Sequence, residues 1–234
     1  MSDIFENTAS VLARVSAAAA AAGRDASEIT VVAASKMNDA QRVREAFASG
    51  ICVFGENRVQ EMLEKERQGA YAGARLHFIG RLQRNKVRQI VGLAELIHSA
   101  DSLPLIAEID RCAGKNGITQ DILIEVNIAG EESKGGFAPN EITSVLEQVS
   151  AFRNTRVRGL MAVPPICSEP EENVPFFESM TKLFVDNSIK KYDNVSMDFL
   201  SMGMSGDYLS AVACGANMVR IGSAVFGPRV YPTR

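Results

Sequence analysis

Eight short apolar runs alternate with stretches of helical character, and this alternation is the sequence feature that most restricts the fold. The runs lie at positions 30–34, 52–54, 76–79, 96–98, 122–126, 159–162, 197–200 and 218–221. The helical stretches between them lie near 40–49, 57–67, 84–91, 103–113, 139–151, 173–191 and 206–214. Strands that alternate with helices favour a parallel sheet covered by helices.

Eight strands in 234 residues favour closure into a single (β/α)8 TIM-type barrel, a fold of about 250 residues. An open, doubly wound sheet is the alternative. We therefore predict an α/β protein with one domain over residues 1–234, in which a helix within residues 1–25 packs on the barrel. The apolar positions of that helix are Ile4, Val11, Leu12 and Val15.

Composition and charge narrow the function classes. A net charge of −3, with no long lysine or arginine block, argues against a nucleic-acid-binding protein. The alanine run at 17–22 is too short to span a bilayer and follows no basic leader, so we expect a cytoplasmic protein. The four cysteines have no metal-ligand spacing, and Cys52, which begins an apolar run, is expected to be a buried reduced thiol.

The ends of the predicted strands hold the candidate functional residues, because active sites of such barrels form at the carboxyl ends of the strands. Lys36 follows the first run. Partial desolvation, or a neighbouring cation such as Arg220, would lower its pKa and make its amine able to form an imine. A lysine that extends to solvent is the alternative.

Two glycine-containing turns follow the last two predicted strands. Gly203 to Gly206 lead into one helix, and Gly222-Ser223 into another short helical stretch. Backbone N–H groups at such turns, with hydroxyls beside them, are typical of a phosphate site, which this fold commonly places after its last two strands. Ordinary turn chemistry is the alternative.

Seven segments, spread from about residue 30 to residue 227, resemble the pyridoxal phosphate homeostasis proteins. They are VAASK at 32–36, FGEN at 54–57, HFIG at 77–80, LQRNK at 82–86, RGLM at 158–161, LSMGMS at 200–205 and MVRIGSAVFG at 218–227. The sequence departs from the usual pattern of that family at Met37 and Asn38, at Gly206, and at Ser223, which keeps a hydroxyl.

The resemblance implies a fold-type III barrel, like the N-terminal domain of alanine racemase, that holds pyridoxal 5′-phosphate (PLP) as an internal aldimine, a Schiff base on Lys36. In it, Arg220 faces the pyridine nitrogen, and no residue is assigned a catalytic or metal-binding role. The phosphate group is expected at Met204, Ser205, Gly222 and Ser223. The full cofactor-binding set is Lys36, Asn57, Ile79, Ser201, Met204, Ser205, Arg220, Gly222 and Ser223.

Three functions use this chemistry. A non-catalytic PLP homeostasis protein, a monomer that hands the cofactor to apo-enzymes, is favoured. An amino-acid racemase needs an acid or base on each face of the substrate carbon, and the second group comes from an added domain that we do not expect after Arg234. A Schiff-base aldolase usually carries its lysine on a later strand than Lys36.

Other polar residues receive structural assignments. His77 and His98 fall in predicted strands without ligand partners and are expected to be packing residues. Arg220 has a second assignment, a pairing with Glu56 or Asp198 at the end of the barrel.

Overall fold

Eight parallel strands form the centre of the computed structural model, which describes residues 3–131 and 133–228. The strands are β1 (Thr30–Ala34), β2 (Val53–Glu56), β3 (Arg75–Phe78), β4 (Leu96–Ala100), β5 (Gln120–Val126), β6 (Thr155–Ala162), β7 (Val195–Met204) and β8 (Met218–Ile221). Each corresponds to one of the predicted apolar runs, with ends that differ by a few residues.

Helices surround the strands. They are α1 (Asp3–Ala21), α2 (Ala40–Ala48), α3 (Val59–Arg67), α4 (Leu103–Lys115), α5 (Ile142–Val149), α6 (Val174–Ser188), α7 (Tyr208–Ala213) and α8 (Ser223–Phe226). Between β3 and β4 the predicted helix is instead a 3₁₀-helix, Arg84–Gln89, in which the N–H of Lys86 bonds to the carbonyl of Gln83 three residues back. Gly92, at φ 85°, lies in the turn that follows this segment.

The sheet closes on itself. β1 pairs in parallel with β2 on one side and with β8 on the other, so that Val32 is aligned with both Val53 and Arg220. The open-sheet alternative is therefore wrong, and the predicted (β/α)8 barrel is confirmed. Each strand of this barrel is paired on both sides, so closure protects the strand edges within the described residues.

Alternation along the strands decides which residues enter the barrel. Val32 of β1 and Met218 of β8 belong to an interior apolar cluster. Lys36 lies four positions after Val32 and continues this inward set just past the end of β1. Arg220 lies two positions after Met218 and points inward as well. The other central members of the cluster are Val53, Leu96, Leu123 and Met161.

Helix α1 packs on the outside of the barrel, as predicted. Asn7 Nδ2 donates to the carbonyl of Val225 at 3.2 Å, and Arg24 Nη1 donates to the carbonyl of Ala216 at 2.7 Å. Leu12 does not join the packed face and is 37% exposed. The apolar residues buried on α1 are Ile4, Val11, Val15 and Ala19. The single-domain prediction spans residues 1–234, of which 1–2, 132 and 229–234 lie outside the described residues.

The prediction for Cys52 was wrong. Its side chain is exposed because β2 begins only at Val53, which leaves Cys52 in the preceding loop. Within the described residues, no helix has the length and apolar character needed to cross a membrane. The same residues contain no group of three His, Cys, Asp or Glu side chains arranged to hold a metal ion.

Candidate functional site

Lys36 lies in a turn at the carboxyl end of β1 and lines a cavity of about 660 Å³. Gly222 and Ser223, from the turn after β8, line the same cavity, as do Asn38 and Arg42. The closed barrel thus brings the predicted lysine and part of the predicted anion site into one pocket. Since β1 and β8 are neighbours only through closure, this juxtaposition depends on the fold.

The turn that carries Lys36 has an uncommon backbone. Met37, at φ 62°, is the one non-glycine residue with a left-handed conformation among the residues described. Its N–H donates to Glu61 Oε2 at 2.9 Å, and the Asn38 N–H donates to the Ser35 carbonyl at 3.1 Å. These bonds hold the chain on both sides of Lys36.

A buried ion pair lies directly behind this turn. Lys65 Nζ is 2.6 Å from Glu56 Oε1, and it also donates to the Ser35 carbonyl at 2.7 Å. Glu56 Oε1 accepts two further hydrogen bonds, from Ser35 Oγ at 2.6 Å and from the Tyr71 hydroxyl at 2.8 Å. Burial, together with the charge of Glu56, raises the pKa of Tyr71 above its usual range. The sequence analysis missed Lys65 altogether, although a lysine on the apolar face of α3 was a signal.

The predicted anion site contains backbone donors that converge on one oxygen. Ser205 Oγ accepts from the N–H of Gly222 at 3.0 Å and from the N–H of Ala224 at 3.4 Å. The N–H of Met204 is used differently, because it donates to Asp207 Oδ1 at 2.7 Å. Gly222 and Ala224 are therefore the backbone groups that face a shared acceptor position here.

Asn57 and Ile79 lie at the ends of β2 and β3. The Ile79 N–H donates to the Glu56 carbonyl at 2.8 Å, which places Ile79 beside Asn57. A Cβ atom at Gly55 would lie 2.7 Å from Ile79 Cδ1, so glycine is needed for Ile79 to lean across the barrel interior. Asn57 Oδ1 is buried and accepts no hydrogen bond from the described residues.

Arg220 is buried and its guanidinium is held by three hydrogen bonds. Nη1 donates to the Ser201 carbonyl at 2.9 Å and to Ser201 Oγ at 2.6 Å, and Nη2 donates to the Ala162 carbonyl at 2.9 Å. Burial lowers the pKa of Arg220 to about 10, so it stays protonated at neutral pH.

The alternative pairing of Arg220 with an acidic residue was wrong. Glu56 pairs with Lys65, and Asp198 pairs with Arg158 at 2.5 Å. Ser201, predicted to bind the cofactor, is buried beneath Arg220, and its hydroxyl contacts the guanidinium.

Glu125 is a titratable group of the barrel interior that the sequence analysis did not single out. It lies on β5, two positions after the interior residue Leu123, and so shares the inward face. Burial and the nearby charge of Asp101 raise its pKa to about 7, although Arg220 and Arg81 act in the opposite direction. A carboxyl group with this pKa exchanges its proton near neutral pH.

His77 and His98 are buried inside the barrel, as expected of packing residues, and they are also hydrogen-bonded. Both are fully buried, with His77 Nδ1 3.0 Å from His98 Nε2 and His98 Nδ1 3.1 Å from Ser201 Oγ. The sequence did not predict these hydrogen bonds, because the partners of His98 lie on β3 and β7, far away in sequence.

Comparison with known proteins gives a consistent set of matches. The family model described as alanine racemase, N-terminal domain, matches residues 7–230. A pyridoxal phosphate homeostasis protein of Aquifex aeolicus is 42% identical over 226 residues, which covers 97% of this chain and 98% of that protein. A protein of the same name from Pseudomonas aeruginosa is 40% identical and covers 99% of this chain and 98% of its own length.

Solved structures resemble the barrel as well. PipY of Synechococcus elongatus with PLP bound has a TM-score of 0.77 and 32% identity, covering 86% of this chain and 93% of that one. Alanine racemase of Clostridium difficile has a TM-score of 0.65 at 14% identity, covering 88% of this chain and 53% of that one, a likeness of fold alone.

Proposed function

This chain belongs to the pyridoxal phosphate homeostasis protein family, and on that premise we propose that it binds PLP through Lys36 and takes part in the intracellular homeostasis of this cofactor. The observation that carries the proposal is the placement of Lys36 in one pocket with Gly222 and Ser223. A primary amine beside an anion site matches a ligand that has both an aldehyde and a phosphate group.

The phosphate side of the pocket fits the cofactor by its donor set. The N–H groups of Gly222 and Ala224 already share one acceptor oxygen, that of Ser205. Ser223, which has a hydroxyl, and Arg42, whose guanidinium also donates to Asn38 Oδ1 at 3.0 Å, line the same cavity. Convergent backbone donors, hydroxyls and a cation together suit a phosphate ester.

The residues that we assign to the ring of the cofactor are not among those that line the Lys36 cavity, but their chemistry suits a ring. Ile79 offers an apolar surface, while the buried Asn57 Oδ1 still lacks a donor within the described residues. Arg220 offers the two N–H groups that its three hydrogen bonds leave over, one on Nε and one on Nη2. A flat ring with polar edges suits this combination of apolar and hydrogen-bonding groups.

The chemistry of the pocket favours holding the cofactor over turning over a substrate. Bound PLP supplies an aldehyde that a lysine amine holds covalently, and Lys36 is the residue that we assign to this attachment. Because Arg220 stays protonated, it donates a hydrogen bond and does not supply a proton to a ring nitrogen. A ring without that proton withdraws electrons poorly, which disfavours catalysis on amino acids.

One observation favours a second candidate, a PLP-dependent racemase or related enzyme. Glu125, with its pKa of about 7, is suited to general acid–base work on the inward face of the barrel. Racemisation needs two such groups, one on each side of the substrate carbon. Glu125 with Lys36 is the pair that this alternative would use.

The attachment is tested by borohydride reduction of the PLP-loaded protein, followed by peptide mass spectrometry. We expect the label on the peptide that carries Lys36, and loss of the visible absorption band in Lys36→Ala. Lys86→Ala is the matched control and should keep both. A label on Lys86 or Lys134 would remove Lys36 from the proposal.

Carrier and enzyme are separated by two assays on the same preparation. One measures deuterium exchange at the α-carbon of alanine and other amino acids, and the other measures transfer of PLP to an apo-enzyme. We expect slow exchange with efficient transfer. Exchange at about 1 s⁻¹ or faster, lost in Glu125→Gln, would establish the racemase alternative.

The remaining assignments are also proposals. We infer a monomer, and apo-enzymes as recipients of PLP; light scattering and the transfer assay test these two points. A single domain over residues 1–234 should unfold in one cooperative transition. The cytoplasmic location stays a prediction.

A further inference from the structure

Four side chains form a continuous hydrogen-bonded row across the barrel interior. His77 Nδ1 lies 3.0 Å from His98 Nε2, His98 Nδ1 lies 3.1 Å from Ser201 Oγ, and Ser201 Oγ lies 2.6 Å from Arg220 Nη1. Every member is at most 5% exposed. The row leads from the Arg220 guanidinium to β3, where His77 lies two residues after Arg75.

Donor and acceptor chemistry favours one direction for the hydrogen bonds of this row. Arg220 has only donors, so Ser201 Oγ must accept from it. The hydroxyl hydrogen of Ser201 has no acceptor among the described residues other than His98 Nδ1, and its donation there makes Nδ1 the unprotonated nitrogen of that ring. His98 therefore carries its hydrogen on Nε2 and donates it to His77 Nδ1. By the same logic His77 carries its hydrogen on Nε2, which is buried and has no partner among the described residues.

The electrostatics of the interior agree with two neutral rings. Burial lowers the pKa of His77 to about 4, with the charge of Arg75 acting in the same direction and that of Glu95 against it. Burial lowers the pKa of His98 well below its usual range, and the neighbouring His77 and Arg220 contribute to this. A protonated imidazole donates from both nitrogens and could not accept from Ser201.

We propose that His77 and His98 are held as neutral Nε2–H tautomers in this one-way row, and that His98 is a positioning residue that orients the Arg220 guanidinium through Ser201. The tautomers follow from the interior geometry alone. The consequence for the cofactor rests on the proposed function, because it takes Arg220 as a group that contacts PLP.

The row fixes the Arg220 guanidinium through hydrogen bonds that use three of its N–H groups. Both hydrogens of Arg220 Nη1 go to Ser201, and one hydrogen of Nη2 goes to the Ala162 carbonyl. The hydrogen bond to His98 orients the Ser201 hydroxyl, and this hydroxyl in turn fixes the plane of the guanidinium. The two remaining donors of Arg220 then keep one orientation. Loss of His98 frees the Ser201 hydroxyl to rotate, and the orientation of Arg220 becomes less defined.

The first experiment reads the tautomers directly in the ligand-free wild-type protein. The chain has 2 histidines, so two-bond nitrogen–proton correlation spectra show only two imidazoles. Between about pH 5.5 and 8, which brackets the ordinary histidine pKa of about 6.5, we expect both rings to keep a protonated Nε2 and a bare Nδ1. A hydrogen on either Nδ1, or titration of His98 near pH 6.5, overturns the inference whether or not PLP binds.

The second experiment tests the positioning role with His98→Ala and His98→Asn. Asparagine places an acceptor oxygen near the position of Nδ1, so it keeps the bond from Ser201 that alanine loses. We expect His98→Ala to weaken PLP binding about tenfold and His98→Asn to recover most of this loss. His77→Asn is the control, because it keeps an acceptor for His98 Nε2–H and should leave PLP binding within about threefold of wild type.

Inorganic phosphate distinguishes positioning from general loosening. It competes for the phosphate side of the pocket and makes no use of Arg220, so its competition constant should be the same in wild type and His98→Ala. An equal loss of affinity for phosphate and PLP, or no rescue by His98→Asn, contradicts the positioning role. If wild type binds no PLP, the proposed function fails, while the tautomer result still decides the interior row.

Discussion

The buried ion pair of Lys65 and Glu56 allows a direct test of how the fold stabilises the turn that carries Lys36. Lys65→Met keeps most of the apolar stem of the side chain and removes the ammonium group, with its charge and its hydrogen bonds to Glu56 and Ser35. The native side chains are 7% and 0% exposed, and their charged atoms are 2.6 Å apart. Removal of the cation leaves the Glu56 carboxylate buried, with only the hydroxyls of Ser35 and Tyr71 as donors.

The expected cost is about 3–5 kcal/mol in the free energy of unfolding, because an uncompensated buried charge keeps its full desolvation penalty. Lys182→Met on α6 is the matched control. Lys182 and Asp186 have the same separation of 2.6 Å, but their side chains are 76% and 55% exposed. Water solvates that carboxylate in either case, so the control should cost about 0.5 kcal/mol or less.

Urea titrations of both variants at neutral pH measure the two costs. A double variant, Lys65→Met with Glu56→Gln, removes both charges and should be more stable than the sum of the two single changes predicts. Because Lys65 also donates to the Ser35 carbonyl, we expect Lys65→Met to slow the attachment of PLP to Lys36. Equal costs for Lys65→Met and Lys182→Met would refute the reasoning from burial.

Two further predictions concern titration and the phosphate contacts. The pKa of Glu125 is raised from 4.5 to about 7, so its ionised form disfavours the folded state as the pH rises through this window. Glu125→Gln should therefore increase the free energy of unfolding by about 2 kcal/mol more at about pH 8 than at about pH 5, and an equal effect at both contradicts this. Replacement of both Ser205 and Ser223 by alanine should weaken PLP binding by about 1–3 kcal/mol in equilibrium titrations, since backbone donors remain. Wild-type protein that binds unphosphorylated pyridoxal as tightly as PLP would argue against a phosphate site here.

The barrel was predictable because its strands are nearly continuous apolar runs. A parallel strand buried on both faces needs apolar residues at every position, and such runs stand out from the amphipathic helices beside them. The end of β7 was harder to predict from the sequence, because the strand continues through small and polar residues to Met204. The connection after β3 was predicted to be a helix, whereas it forms a 3₁₀ segment.

Parts of the site were predictable for a different reason. In this fold the carboxyl end of each strand points to the same opening, so Lys36 and the turn at Gly222 were expected to meet. The buried hydrogen bonds next to Lys36 were not predicted. They join Ser35 and Glu56, at the ends of two strands, to Lys65 on α3. Helix periodicity places Lys65 on the buried face, but it does not say which acceptors lie there.

The hydrogen-bond partners of Arg220 lie on other strands, and the sequence of its own strand does not predict them. Along the sequence it is a cation whose available partners were the carboxylates of Glu56 and Asp198. In the barrel its hydrogen bonds go to uncharged acceptors on Ser201 and Ala162, which reach it only through the register of closed strands. Uncharged acceptors fix the guanidinium without cancelling its charge, and burial accordingly lowers its pKa to about 10. The hydrogen bonds that sequence patterns could not reveal are therefore the ones that fix the guanidinium of Arg220 while leaving its charge and two of its donors available to a neighbouring group.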